Sequence, residues 1–231
     1  MPLTSETISW ITSIDAVTTA SQDIACLVDL DDAAVRAAAQ LPPSAEDRLR
    51  GAAYGDAART RFFSRRAVLR HLLAARLGCP AETVVIGLDE SGAPRLTAQV
   101  TRLPHFLSIS GRAAFAAFAV ASRPIGIDIE ILGQPESVPQ GALHPNEAER
   151  LAALDETERH KAFLQIWTVK EAYLKALRVG LVREPGEVEI RFEADGRAQI
   201  VEGGAMVPAR VSLREIQKRA ATTIIAACVI L

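Results

Sequence analysis

The chain predicts an α+β fold, and three observations carry that expectation. Short β-compatible runs and helical patterns are interleaved without a strict βαβ rhythm. Several runs come in pairs across turn chemistry, which favours antiparallel pairing. One long stretch, Asp56 to Leu77, repeats apolar side chains at helical spacing.

In chain order, ETISWITSI and DIACLVDL each suit a short strand, and DDAAVRAAAQL suits a helix whose aspartates lie at its positive end. Pro42 and Pro43 end it. SAED before RLRGAAY resembles a second helix start, without a full capping box, because the residue three after Ser44 is Asp47 and not Glu or Gln. In Asp56 to Leu77, Phe62, Leu69, Leu73 and Leu77 form one stripe, with Arg59, Arg66 and Arg70 largely elsewhere, and Gly78 is the stop.

TVVIGLDESGAPRLTA then reads as strand, turn, strand, with Ser91 to Pro94 as the turn. Phe115 to Ala121 and Ile125 to Leu132 are two further strands around Arg123-Pro124, a turn that hints at a midpoint of the chain. Gly133 to Pro145 is a Gly/Pro-rich loop, NEAERLAALDETERHKAFLQIWTVKEAYLKAL is helical, and Glu187–Phe192, Arg197–Glu202 and Thr222–Leu231 are closing strands. No internal repeat is visible in the sequence.

Composition narrows the function classes. The chain has 231 residues, with 26 Lys+Arg against 28 Asp+Glu, so no global charge points to nucleic acid or an anionic membrane. Cys26, Cys79 and Cys228 are scattered and lack CxxC spacing, which suggests neither a disulfide framework nor a zinc site. The first residues lack a basic region followed by a continuous apolar one, and no uncharged apolar run is long enough to span a bilayer. A soluble cytoplasmic protein is the expectation. His71, His105, His144 and His160 have no ligand-like spacing and read as structural or solvated.

Two constellations carry chemistry. In IGIDIEI, Asp128 and Glu130 are two apart, so a strand sends both to one face while Ile127, Ile129 and Ile131 take the other. Paired carboxylates repel unless a cation lies between them, and their hard oxygens suit Mg²⁺. A solvated edge strand has the same pattern, so this pair alone is weak evidence. In WTVKEAYLKA, Trp167, Glu171 and Lys175 fall at i, i+4 and i+8 on one helical stripe. Alone, that is also the pattern of a surface ion pair beneath a packed indole.

Together, the G-I-D-I-E strand followed some forty residues later by W-T-V-K-E-A-Y-L-K-A resembles the signature pair of the 4'-phosphopantetheinyl transferases, in particular the larger, monomeric surfactin-synthetase-activating type. RTRFFSRRAVLRHLLAARLG, SGAPRL and FLSISG occur in that family's order, and the resemblance spans roughly Pro43 to Leu181. It implies two similar α/β halves related by a pseudo-twofold, with mainly antiparallel sheets and a long helix in each. Residues 1–122 would be the coenzyme A-binding half and 123–231 the half with the metal ligands, the active site lying at their interface.

The resemblance further implies transfer of the 4'-phosphopantetheine arm of coenzyme A to a serine of an acyl or peptidyl carrier protein, with Mg²⁺ as cofactor. Asp128, Glu130 and Glu171 would be the metal ligands, and Asp128, Glu171 and Lys175 the catalytic residues. Arg61, Arg50, Ser108 and Lys175 would contact the co-substrate. Lys170, on a neighbouring face, has no assigned role and reads as a solvated charge.

The sequence also departs from the family pattern. Ile109 stands where the family has a phosphate-contacting histidine, Ala93 where it has the lysine of a Gly-Lys-Pro turn, and Val179 where many members carry a basic residue. Arg95 and Arg112 are the candidates to compensate. A catalytically weakened relative that binds coenzyme A or a carrier protein without efficient transfer is therefore the competing reading.

Overall fold

Gly78 stops the longest predicted helix by taking a left-handed conformation (φ 65°), which costs a residue without a Cβ little. The computed structural model describes residues 8–11, 23–97, 106–133, 141–179, 183–219 and 222–231. His105 and most of the predicted 133–145 loop lie outside them. Two units divide the chain, Met1–Arg123 and Pro124–Leu231.

The first unit holds β1 (Ser9–Ile11), β2 (Ile24–Asp29), α1 (Ala33–Ala39), α2 (Ala45–Gly51), α3 (Asp56–Leu77), a 3-10 turn (Ala81–Thr83), β3 (Ile86–Leu88), β4 (Pro94–Leu96), β5 (Phe106–Arg112) and β6 (Phe115–Ala121). Its six strands run in the order β1-β2-β6-β5-β4-β3. β1 and β2 pair in parallel and the remaining neighbours antiparallel. Leu69, Leu72 and Leu73 of α3 pack with Ile24, Cys26 and Val28 of β2 and with Phe118 and Val120 of β6.

One strand is added in this unit and one expectation is corrected. β5 is a full strand, although its alternation of Leu107 and Ile109 with Ser108 and Ser110 is diluted by Gly111. The capping box at Ser44 exists: the Asp47 N–H donates to Ser44 Oγ (3.0 Å) and the Ser44 N–H to Asp47 Oδ2 (3.2 Å). The shorter aspartate still reaches back, and its other oxygen accepts from Arg66 Nε at 2.6 Å.

The second unit holds β7 (Ile125–Ile131), α4 (Pro145–Ala152), α5 (Glu156–Leu177), a 3-10 turn (Pro185–Glu187), β8 (Val188–Phe192), β9 (Ala198–Glu202), β10 (Ala205–Met206), β11 (Arg210–Lys218) and β12 (Thr222–Ile230). One antiparallel sheet has the order β11-β12-β7 and another β10-β9-β8. β11 was not expected, because RVSLREIQK carries charges through its middle. It forms as the partner of β12 over its whole length, with Val211 and Leu213 against the core beneath α5.

The two units repeat one design. The helix Glu156–Leu177 starts and ends one hundred positions after Asp56–Leu77, and both stop on a left-handed residue, Arg178 and Gly78. Each long helix is preceded by a capping-boxed short one and followed by a 3-10 turn and a hairpin. The same bonds recur at that spacing. Arg59 Nη1 donates to the Tyr54 carbonyl and Arg159 Nη2 to that of Leu154. Arg70 reaches the Pro42 carbonyl and Lys170 that of Ala142, and each also reaches a carbonyl of the following 3-10 turn, Glu82 and, 103 positions on, Pro185. Few side chains are identical between the halves, so the repeat escapes inspection of the sequence.

Candidate active site

The β7 carboxylates face a helix. Asp128 lies opposite Ala227 of β12, and Glu130 opposite Ile225. Directly opposed residues of an antiparallel pair share a face, and Ala227, Ile225 and Val229 pack in the core formed with α5. Asp128 and Glu130 are 4% and 2% exposed, so the solvated-edge reading is excluded.

Gly126 sets how close that helix comes. A Cβ on Gly126 would overlap the carbonyl oxygen of Ala172 and lie 2.6 Å from the amide nitrogen of Ala176. The missing side chain, together with two alanines on α5, lets backbone meet backbone. Lys175, one residue before Ala176, then donates from Nζ to Asp128 Oδ1 (2.6 Å) and to the Ile127 carbonyl (3.3 Å). Glu171 is one turn earlier on the same stripe and half-buried. Trp167, a further turn back, stacks on Phe163 with centroids 6.4 Å apart and an interplanar angle of 12°.

Lys170 is not the solvated charge expected of it. It is fully buried and its ammonium donates to Glu147 Oε2 (2.5 Å), the Ala142 carbonyl (2.9 Å) and the Pro185 carbonyl (3.0 Å), which uses all three protons. Burial pulls its pKa down, and the contact with Glu147 pulls it back. Glu147 also accepts from the His144 N–H at 2.8 Å and the Ile190 N–H at 2.7 Å. One buried pair thus ties α4, α5, β8 and the chain before α4 together. The helical pattern shows which way Lys170 points but not that an acceptor cage awaits it.

A second braced carboxylate lies beside it. Glu189 of β8 is buried and accepts from Arg191 (2.7 Å) and Arg150 (2.8 Å). The Arg191 contact outweighs desolvation and holds its pKa down at about 2. Tyr173 of α5 donates to Glu202 Oε2 of β9 at 2.9 Å, and burial first and that carboxylate second push its pKa up to about 12.

The remaining candidates belong to the first unit. Arg61 is exposed on α3, and the Arg50 guanidinium lies 5.5 Å from the centroid of the Phe62 ring. Ser108 is buried on β5 and points away from α3, because its neighbours Leu107 and Ile109 pack on the α3 side. Ile109 therefore serves this unit's core. Ala93 donates its N–H to Asp89 Oδ1 (2.9 Å) within a turn closed by Gly92 at φ 83°. Arg95 donates from Nε to the Leu88 carbonyl at 2.9 Å, and Val179 is exposed. His144 caps α4, its Nδ1 accepting from the Asn146 N–H at 3.3 Å, while His71 and His160 are half-buried on α3 and α5.

A cavity of about 510 Å³ lies beside α4 and the first half of α5, lined by Leu143, Leu151, Glu156, Arg159, His160 and Phe163. Asp128 and Lys175 meet instead at the second half of α5. Among the described residues, no three or more His, Cys, Asp or Glu side chains converge closely enough to form a metal site. Asp128, Glu130 and Glu171 offer only hard oxygen donors, a chemistry suited to Mg²⁺, but they are not gathered into a ready-made site. Among the described residues, no helix is long and apolar enough to cross a membrane.

Comparison with known proteins finds similarity over the segment that contains Asp128, Glu130, Glu171 and Lys175. Residues 124–228, almost the whole second unit, match the 4'-phosphopantetheinyl transferase superfamily. The 4'-phosphopantetheinyl transferase HetI of Nostoc is 34% identical over 136 residues, covering 57% of this chain and 57% of that protein. A 4'-phosphopantetheinyl transferase of Bacillus subtilis is 30% identical over 138 residues, covering 58% of each. The chain thus spans a little under three-fifths of the length of these relatives. Among solved structures, Thermotoga maritima holo-[acyl-carrier-protein] synthase matches 46% of this chain and 62% of its own at 21% identity and a TM-score of 0.33. Over its second unit the chain is thus similar to the 4'-phosphopantetheinyl transferase superfamily.

Proposed function

We propose that this chain transfers the 4'-phosphopantetheine group of coenzyme A to a serine hydroxyl of an apo acyl or peptidyl carrier protein, releasing 3',5'-ADP. The observation that carries the reading is the contact of Lys175 with Asp128 on the α5-facing side of β7, within the segment matched to the superfamily. Asp128, Glu130 and Glu171 do not converge as they stand, and would hold Mg²⁺ only once drawn together around it; when bound, the ion offsets the negative charge of a diphosphate.

The chain's own groups account for the other requirements. The serine oxygen attacks the β-phosphorus, the bond to the bridging oxygen breaks, and that oxygen leaves with 3',5'-ADP. Glu171, or a water it orients, accepts the serine proton. Lys175, already drawn to this face by Asp128, stabilises the phosphate oxygens and the departing nucleotide. Burial of Asp128 and Glu130 lowers the local dielectric and strengthens each of these interactions. On this reading the protein is a cytoplasmic monomer.

The test is to incubate the purified chain with coenzyme A, Mg²⁺ and several apo carrier proteins and to weigh the carriers by mass spectrometry. A mass gain of one phosphopantetheine is expected, lost in Asp128→Asn and Glu171→Gln. No gain on any carrier would refute the activity and favour the weakened relative.

A further inference from the structure

The first unit carries two arginines whose charge nothing on the described residues answers. Arg61 and Arg65 are one turn apart on α3, and no hydrogen bond or ion pair among the described residues engages either guanidinium. Their neighbours on the helix are all matched. Arg59 pairs with Asp56, Arg66 with Asp47, and Arg70 donates to the carbonyls of Pro42, Glu82 and Val84. Arg65 is half-buried, and its Nε is enclosed without a hydrogen-bond partner. Burial first, and the charge of Arg61 second, lower its pKa.

The enclosure is built into β5. A Cβ on Gly111 would overlap Cζ and Nε of Arg65 and lie 2.6 Å from Nη2, so the glycine is what admits the guanidinium against the strand. Two like charges converging without a counter-charge oppose folding, and a bound anion would remove that opposition. Arg61 is exposed and Arg65 half-buried, so an anion arriving from solvent would meet Arg61 first. Two guanidinium forks a helical turn apart suit the several oxygens of a phosphate.

We propose that Arg65 joins Arg61 in a phosphate-binding site on α3, floored at Gly111 of β5. The proposal rests on the reading above for its ligand, because coenzyme A brings a 3'-phosphomonoester and a diphosphate, both of this chemistry. It explains how a chain with Ile109 turned into the core and Ala93 in its turn still gathers cationic contacts for a nucleotide.

The test is calorimetric titration of the full chain, without metal or carrier, with 3',5'-ADP and with 5'-AMP. Arg65→Met is expected to weaken 3',5'-ADP binding about 10- to 100-fold, the effect of one lost charge-assisted contact. A loss confined to 3',5'-ADP assigns the site to the 3'-phosphate, and an equal loss for both nucleotides assigns it to the 5'-phosphate. Arg65→Lys, which keeps the charge and loses the fork, is expected to lie between, and it serves if the methionine variant does not fold. Affinities within twofold of the unaltered chain in whichever variant folds, or no binding of either nucleotide by the unaltered chain, would overturn the proposal. Transfer assays keep the two ideas apart. Reduced nucleotide affinity in a chain that modifies no carrier removes the transferase reading and leaves the site. Transfer by Arg65→Met with unchanged KM for coenzyme A removes the site and leaves the transferase.

Discussion

Gly126 of β7 meets the carbonyl of Ala172 on α5 with no room for even a methyl group between them. This contact sets the height of the helix over the strand, and so the distance over which Lys175 must reach Asp128. Alanine at 126 would force the two backbones apart. Gly126→Ala is expected to destabilise the chain by about 1–3 kcal/mol, the usual cost of overpacking, in denaturant unfolding. It should also reduce carrier modification although residue 126 bears no reactive group. Unchanged stability and transfer would contradict the described packing.

Lys170 and Glu147 form a buried pair whose members hold five hydrogen bonds to one another and to the backbone. Removing one partner strands the other charge. Lys170→Met alone is expected to cost about 3–5 kcal/mol, and combining it with Glu147→Gln should restore part of that loss. Additive losses in the double variant would show that the two do not act as a pair.

Glu189 makes stability pH-dependent in a window set by its own pKa. The carboxyl titrates at about 2 when folded, against an ordinary value of 4.5 when the chain is unfolded. The unfolded state therefore binds the proton first as pH falls. The contribution is fully present above 4.5 and declines as pH drops towards 2. In Glu189→Gln the urea midpoint should fall less steeply across that interval than in the unaltered chain, and parallel curves would contradict the assignment.

Lys175→Met removes the cation that contacts Asp128 while keeping a side chain of similar length. Transfer to an apo carrier should drop about 100-fold or more, the loss typical of removing one charge-stabilising donor, with kcat falling more than KM rises. A change confined to KM would make Lys175 a binding residue and not one that acts on the departing nucleotide.

Local patterns made much of this legible in advance. Asp56–Leu77 has the expected bounds because an apolar stripe and a glycine stop are neighbour-to-neighbour signals. The shared face of Asp128 and Glu130 follows from the two-residue period of a strand, and the stripe of Trp167, Glu171 and Lys175 from the helical one. β11 and β5 escape local patterns for the converse reason, since charge in one and serine and glycine in the other weaken the local signal. Pairing with β12 and β6 supplies what the residues alone do not announce.

By itself, then, the sequence determined which side chains lie together along each element, because that depends only on the period of the backbone. Tertiary structure alone decided what stands opposite them. It brought α5 against Gly126, closed an acceptor cage on Lys170, turned Ile109 into a core and set Arg65 against Gly111. Those outcomes depend on contacts between residues far apart in the chain, whose energies no local pattern encodes.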